Sequence, residues 1–157
     1  MNYVPDTTMA EMFWTGTSRL NRLRYLKRSI VLALFYGVFY GILTAISGVD
    51  VDAYGSGDGI KFTLDYNLLW GSAPEFLAGL VVLDLMLAVF SYKLDVRRLK
   101  DLGKDNKLAL IVFFIAIFGN LVPFITIVAA FINIYLLLAK GTEGDNIYGP
   151  DPLEGKR

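Results

Sequence analysis

Three apolar stretches, each closed by charged or turn-forming residues, set the layout of this 157-residue chain. Ser29 to Ser47 runs for 19 residues without a charge, enough for about 28 Å of helix. Pro74 to about Leu102 reads as one long helix whose apolar part ends at Tyr92. Pro74 suits a first turn, where its missing N–H costs nothing, and Glu75 suits the positive end of the helix dipole. Gly103 is a natural stop. Leu108 to Ala139 is 32 residues without a charge. As one straight helix it would reach about 48 Å, too long for a hydrocarbon core of about 30 Å. Gly119-Asn120 followed by Pro123 predicts a stop and a restart. The expectation is a hairpin of one short and one full span. A single kinked third span is the alternative, and it puts the C-terminus on the opposite side.

The predicted fold class is therefore all-α: a polytopic integral membrane bundle of four helical segments in a single domain covering 1–157. The spans fall at about 29–47, 74–94, 105–118 and 121–139, the first residue of the third being the Asp105 cap. Between them lie an outward loop (48–73), a cytoplasmic loop (95–104) and a polar tail of turns (140–157). The first dozen residues are expected to be loosely ordered, and their polarity argues against a cleaved signal. Lys61 to Tyr66 alternates weakly and predicts a short strand, and Trp70 reads as an interfacial anchor. Tyr36 and Tyr40 share a helix face, which suggests packing or anchoring.

Composition narrows the chemistry. Lysine and arginine number 15, aspartate and glutamate 15, and there is no histidine or cysteine. Disulfides, thiolate chemistry, Cys/His zinc sites and histidine acid–base catalysis are all excluded. The zero net charge points away from nucleic acid. Asp50, Asp52 and Gly55 partly match a calcium loop, but Tyr54 and Lys61 occupy ligand positions, so no metal site is assigned. No cofactor is expected, and the chain is expected not to be an enzyme.

Charge also orients the chain. Five basic residues precede Ser29, six lie between Lys93 and Lys107, and only one lies between Val49 and Glu75. That bias puts both basic stretches in the cytoplasm and the acidic loop outside. Arg19, Arg22, Arg24, Lys27 and Arg28 form a basic collar, a candidate contact for anionic lipid head groups and otherwise a topology signal. Arg97, Arg98 and Asp101 sit at ion-pairing helical spacing, and the arginines are candidates to grip a lipid phosphate or a partner carboxylate.

Three ordered motifs carry a family resemblance. Arg97-Arg98-Leu99-Lys100-Asp101-Leu102-Gly103 resembles the Arg-Arg-Leu-His-Asp-x-Gly signature of the bacterial membrane family called domain of unknown function 805. The tail from Gly141 through Asn146, Tyr148, Gly149 and Pro152 is similar to that family's Gly-Thr-x-Gly-x-Asn-x-Tyr-Gly-x-x-Pro end. Arg19-x-x-Arg22-x-x-Tyr25 resembles its N-terminal motif. Lys100 replaces the usual histidine and Ser18 the usual glycine, so the chain reads as a divergent member. The resemblance implies an integral inner-membrane protein of bacteria with no established activity. The tail acids Asp145 and Asp151 are expected to reach Arg97 or Arg98.

Asp84 is the only formal charge inside an apolar run. A carboxylate at the bilayer centre costs about 2.5–3.5 kcal/mol, so Asp84 is expected to face the bundle interior, near Tyr40, Thr44, Thr126 or Asn133. Two functions stay open. One is a non-catalytic scaffold, assembly or lipid-binding accessory module, with a homo-oligomer or a membrane-protein partner. The other is a small transporter or proton- or ion-conducting subunit using Asp84. Orientation is directly testable, because no native cysteine interferes. An impermeant thiol reagent applied to intact cells is expected to label Ser56→Cys but neither Lys104→Cys nor Glu154→Cys. Labelling at 104 would reverse the orientation, and labelling at 154 would support the kinked third span.

Overall fold

The computed structural model describes residues 4–50, 55–56, 63–64, 66–118 and 123–153. Helix α1 (Arg22–Ser47) starts seven residues before the predicted span, inside the basic collar, because Asn21 caps it: the Asn21 side chain accepts from the Arg24 backbone N–H at 2.9 Å. It ends at Gly48, whose φ of 64° is left-handed and whose N–H donates to Thr44 O. In the acidic loop, β1 (Gly55–Ser56) pairs antiparallel with β2 (Thr63–Leu64). Helix α2 (Tyr66–Ser72), which the polarity pattern does not announce, follows and packs on α3 (Pro74–Asp101). Trp70 is 73% exposed on α2. Helix α3 stops at Gly103, with φ 68°.

Helix α4 (Lys107–Phe118) begins where Asp105 accepts the Lys107 N–H at 3.1 Å. Helix α5 (Pro123–Leu138) follows, and the proposed stop at Gly119-Asn120 lies outside the described residues. The two helices form a hairpin. The start of α4, through Leu108 and Ala109, and the end of α5, through Leu136 and Leu137, join one apolar cluster with Leu94 and Leu99 of α3.

Helices α1 and α3 are long and apolar enough to cross a membrane, and α4 and α5 are shorter apolar helices. The core helix of a soluble protein is mostly buried, yet only 6% of the most apolar window of α1 is buried. Its outward face instead shows Leu34, Val38, Ile42 and Ile46, each more than 45% exposed.

The apolar core is divided. One cluster, at the end of α3 that carries Arg97 and Arg98, gathers Phe13, Leu20, Tyr25, Leu32, Leu94, Leu99, Ala109 and Leu136. The other, at the far end, gathers Leu69, Ala73, Phe76, Leu77 and Leu80, with Tyr40 and Leu43 against them. There α1 and α3 approach closely at Gly79, where an added Cβ would lie 2.7 Å from Leu43 Cδ1.

A knot of buried guanidiniums fastens the first end. Arg98, fully buried, donates from Nε to Leu136 O at 2.7 Å, and from its terminal nitrogens to Leu20 O, Ala139 O and the Asp101 carboxylate. It therefore ties α3 to the end of α5 and to the start of α1. Arg19 donates to Asp101 at 3.3 Å, to Thr142 O at 2.8 Å, to Gly144 O at 2.7 Å and to Gly149 O at 3.2 Å. Thr142 N donates to Asp101 O at 2.8 Å, and Asn146 Nδ2 to Lys100 O at 2.9 Å. Gly141 is required by contact: a Cβ there would overlap the Asp101 carboxylate.

Two expectations are corrected. The tail does dock, but through Arg19 and Asp101: Asp151 accepts from Gly144 N and Asp145 from Asp151 N, and neither meets Arg97 or Arg98. Of the two apolar side chains that could anchor the tail, Ile147 is 88% exposed and Tyr148 is half-buried. Nor is the described part of the N-terminal segment loose. Phe13, in a short π-helical turn (Glu11–Thr15), is buried, and Asp6 bridges Arg28 at 2.7 Å and Arg97 at 2.5 Å. Backbone carbonyls of Glu11 and Met12 and a short carboxylate do here what an apolar periodicity would otherwise do, so the polar sequence hides the order.

Burial alone raises the Asp6 carboxyl, but hydrogen bonds from Arg97 and Arg28 outweigh it and hold it below the usual carboxylate range. Its folded value lies below its unfolded one, so this tie is fully present above the unfolded value and is lost as pH falls through the folded one. Asp6→Asn is expected to cost about 3–5 kcal/mol at neutral pH, since two buried guanidiniums lose a shared counter-ion. It should also flatten the acid limb of the stability curve below about pH 4. Thermal unfolding in detergent between neutral and acid pH checks this, and an unchanged acid limb would refute the tie.

Candidate functional site

Between the two apolar clusters the bundle is not filled. A cavity of about 690 Å³ lies there, walled by α1, α3, α4 and α5. Side-chain size explains it. Ser29 and Ala33 on α1, Ala88 and Ser91 on α3, Ala116 on α4 and Ala129 on α5 all face the space, and none is long enough to cross it.

Into this cavity α3 sends two acids. Asp84, Ser91 and Asp95 recur at i, i+7 and i+11, one stripe of a 3.6-residue helix. At 1.5 Å per residue the two acids stand about 16 Å apart along the axis. Each is held by a tyrosine of α1. Tyr36 Oη donates to Asp84 at 3.0 Å, and Tyr25 Oη donates to Asp95 at 2.8 Å while lying 3.4 Å from Asn133 Oδ1. Tyr36 stacks on Tyr40 with ring centroids 5.9 Å apart, and both rings line the cavity. Among the described residues no basic side chain pairs with either acid. The rest of the wall is mainly aliphatic, including Leu80, Leu87, Leu94, Val112 and Leu137.

The expected residues separate into distinct places. Asp84 faces the bundle interior, and its partner is Tyr36 rather than Tyr40 or Asn133. Thr44 bonds within its own helix, and the Thr126 side chain lies outside the described set. Arg97, Arg98 and Asp101 are buried in the knot and do not face a lipid phosphate. The basic collar splits: Arg19 and Arg28 are buried, whereas Arg22 and Lys27 are exposed and Arg24 half-buried. Head-group contact is thus corrected for Arg19 and Arg28, whose terminal nitrogens donate inside to carbonyls and to Asp101 and Asp6, while the buried Arg19 Nε has no partner among the described residues. Gly103, Gly141, Asn146 and Gly149 shape the tail against the knot, Tyr148 N donates to Asn146 Oδ1, and Pro152 is buried.

Asp95 is the residue that sequence reasoning missed. Its neighbours Lys93 and Arg97 make it look like one charge of a solvated basic loop. The signal was present, since it lies three helical turns from Asp84 on the same stripe.

Comparison with known proteins gives one family match. The model of DUF805, described as protein of unknown function, matches residues 13–150. No curated protein and no solved structure matches.

The tyrosine ties make a direct prediction. Asp95→Asn keeps an acceptor for Tyr25 and is expected to leave stability nearly unchanged. Asp95→Leu strands the buried Tyr25 hydroxyl and is expected to cost about 1–3 kcal/mol. Thermal unfolding of both variants in one detergent checks the difference, and equal losses would mean that the hydrogen bond contributes nothing.

Proposed function

The chain belongs to the DUF805 family, whose description assigns no activity, and from that premise and its site we propose that it is a multi-pass membrane protein whose bundle holds an intramembrane site for a positively charged solute, with Asp84 as the principal contact. One observation carries this reading: two carboxylates share a cavity inside the bundle without a basic partner among the described residues. An isolated carboxylate removed from water costs several kcal/mol unless a proton or a cation compensates it. Ionisable groups at that depth are expensive and recur where solutes or ions bind. The stacked Tyr36 and Tyr40 rings add a cation–π surface beside the acid.

The exposed apolar face of α1 and the length of α3 support a membrane setting. The lysine and arginine bias supports an orientation with both basic stretches in the cytoplasm, and the bacterial inner membrane is what the family resemblance implies. The hairpin of α4 and α5 then returns the C-terminus to the cytoplasmic side. The alternative of a scaffold or lipid-binding accessory loses its main candidates, because four of the arginines that would grip a head group or a partner are engaged internally. The reading is of binding or passage, without covalent chemistry.

The test is ligand-linked stability. Tetramethylammonium chloride, compared with sodium chloride at equal ionic strength, is expected to raise the thermal midpoint of the purified chain. A hundredfold excess over Kd corresponds to about 2.7 kcal/mol. Asp84→Asn should abolish the shift while unfolding as cooperatively as the parent. No shift in the parent, or an undiminished shift in Asp84→Asn, would overturn the proposal.

A further inference from the structure

We infer that the cavity takes a cationic amphiphile that enters sideways from the bilayer between α1 and α5, its charged head on Asp84 and its hydrocarbon chain along the aliphatic wall. The inference rests on the reading of Asp84 as a cation site and adds the ligand's chemical class and its route.

The opening gives the route. Among the residues that line the cavity, Leu26 and Ala33 on α1, Ala116 on α4, and Asn133 and Ile134 on α5 remain exposed. Four of these five belong to α1 and α5, which makes the gap between those helices the lateral opening. Packed side chains lie along the helix axes instead: the cluster around Leu69 and Phe76 between α1 and α3 at one end, and the knot with Leu94, Leu99 and Leu136 at the other. A solute moving along the helix axes would have to cross packed side chains, whereas one moving laterally meets an alanine and an exposed isoleucine.

The lining gives the class. Aliphatic side chains from all four helices make up most of the wall, and the polar groups concentrate at Asp84 with Tyr36 and at Asp95 with Tyr25, Ser91 and Asn133. A small hydrated cation gains nothing from Leu80, Leu87, Val112 or Ile134. A long-chain alkylammonium matches both features: its head meets a half-buried carboxylate beside the Tyr36 and Tyr40 rings, and its chain replaces lipid against the wall. Asp84 rather than Asp95 takes the head. Asp95 is only 2% exposed, whereas Asp84 is half-buried and open to the cavity.

The experiment uses the full chain in nanodiscs of zwitterionic lipid, with empty nanodiscs as the blank, and measures saturable binding of trimethylammonium probes of increasing chain length. Affinity referred to the aqueous concentration is expected to rise roughly fourfold per methylene, from tetramethylammonium to decyltrimethylammonium. Decanol, of similar chain length but neutral, should bind at least tenfold more weakly than decyltrimethylammonium. Asp84→Asn should remove that preference. Ala33→Trp, an exposed rim position checked for an unchanged thermal midpoint, should reduce decyltrimethylammonium binding tenfold or more. If tetramethylammonium binds as tightly as the decyl probe, the amphiphile class is wrong while the cation site stands. If decanol binds as well as the ammonium probe and Asp84→Asn changes nothing, the cation site falls as well. Undiminished binding to a normally folded Ala33→Trp would overturn the lateral route.

Discussion

The burial of Arg98 is the constraint on which the rest of this structure depends. A guanidinium cannot lose its proton in a protein, so once it is fully buried every N–H must find an acceptor inside. Asp101, one turn along the same helix, supplies one. The others are backbone carbonyls of Leu20, Leu136 and Ala139. Those carbonyls belong to the lead-in of α1 and to the end of α5, so satisfying one side chain fixes where three segments of the chain meet. Arg19 repeats the device on the other oxygen of Asp101 and brings in the tail. Directionality explains why arginine suits this position: its planar fork reaches several carbonyls at once, which a lysine cannot do. The exposed charge expected of a motif this basic is therefore spent internally.

Fixing the helices at one end, and again at the far cluster around Phe76, leaves the middle to be filled by whatever side chains face inward there. Six of them are serines and alanines, too short to meet across the space. Packed interiors hold few voids larger than a water molecule, and a large apolar void loses contacts on all its walls. A cavity of about 690 Å³ beside two apolar clusters is therefore a feature of the sequence at particular positions rather than a general looseness. The same small residues leave Asp84 half-buried, open to the cavity on one side and held by Tyr36 on the other.

Much of the architecture was legible in the apolar runs. Helix α3 spans Pro74–Asp101 as its proline, acidic start and terminal glycine imply, and the length of the uncharged run after it required a break. Helix α1 begins earlier than its apolar run because Asn21 is a stronger boundary signal than the change in polarity. The site was only half legible. Asp84 stood out as a charge in an apolar stretch, but Asp95 was masked by basic neighbours that in fact point elsewhere, Arg97 toward Asp6 and Ser18, and Lys93 over the Trp14 ring. Arg19 and Arg28 were read as surface charge because their acceptors are carbonyls and carboxylates distant in sequence, and no local pattern records them. Backbone acceptors are invisible to a reading of side chains.

The distribution of buried charge ties the knot to the cavity. Among the described residues four buried guanidiniums, those of Arg19, Arg28, Arg97 and Arg98, pair with two carboxylates, Asp6 and Asp101. Carbonyl dipoles meet most of the remaining donors, Arg19 Nε excepted. Asp95 lies two residues before Arg97, but that guanidinium turns to Asp6 and Ser18, and the partner Asp95 has is Tyr25. Asp84 lies about 16 Å further along the helix. The two acids of one stripe are still unequal. One is almost fully buried beneath the knot and held by Tyr25. The other has a single tyrosine and an open cavity in front of it, which is the arrangement a bound cation completes.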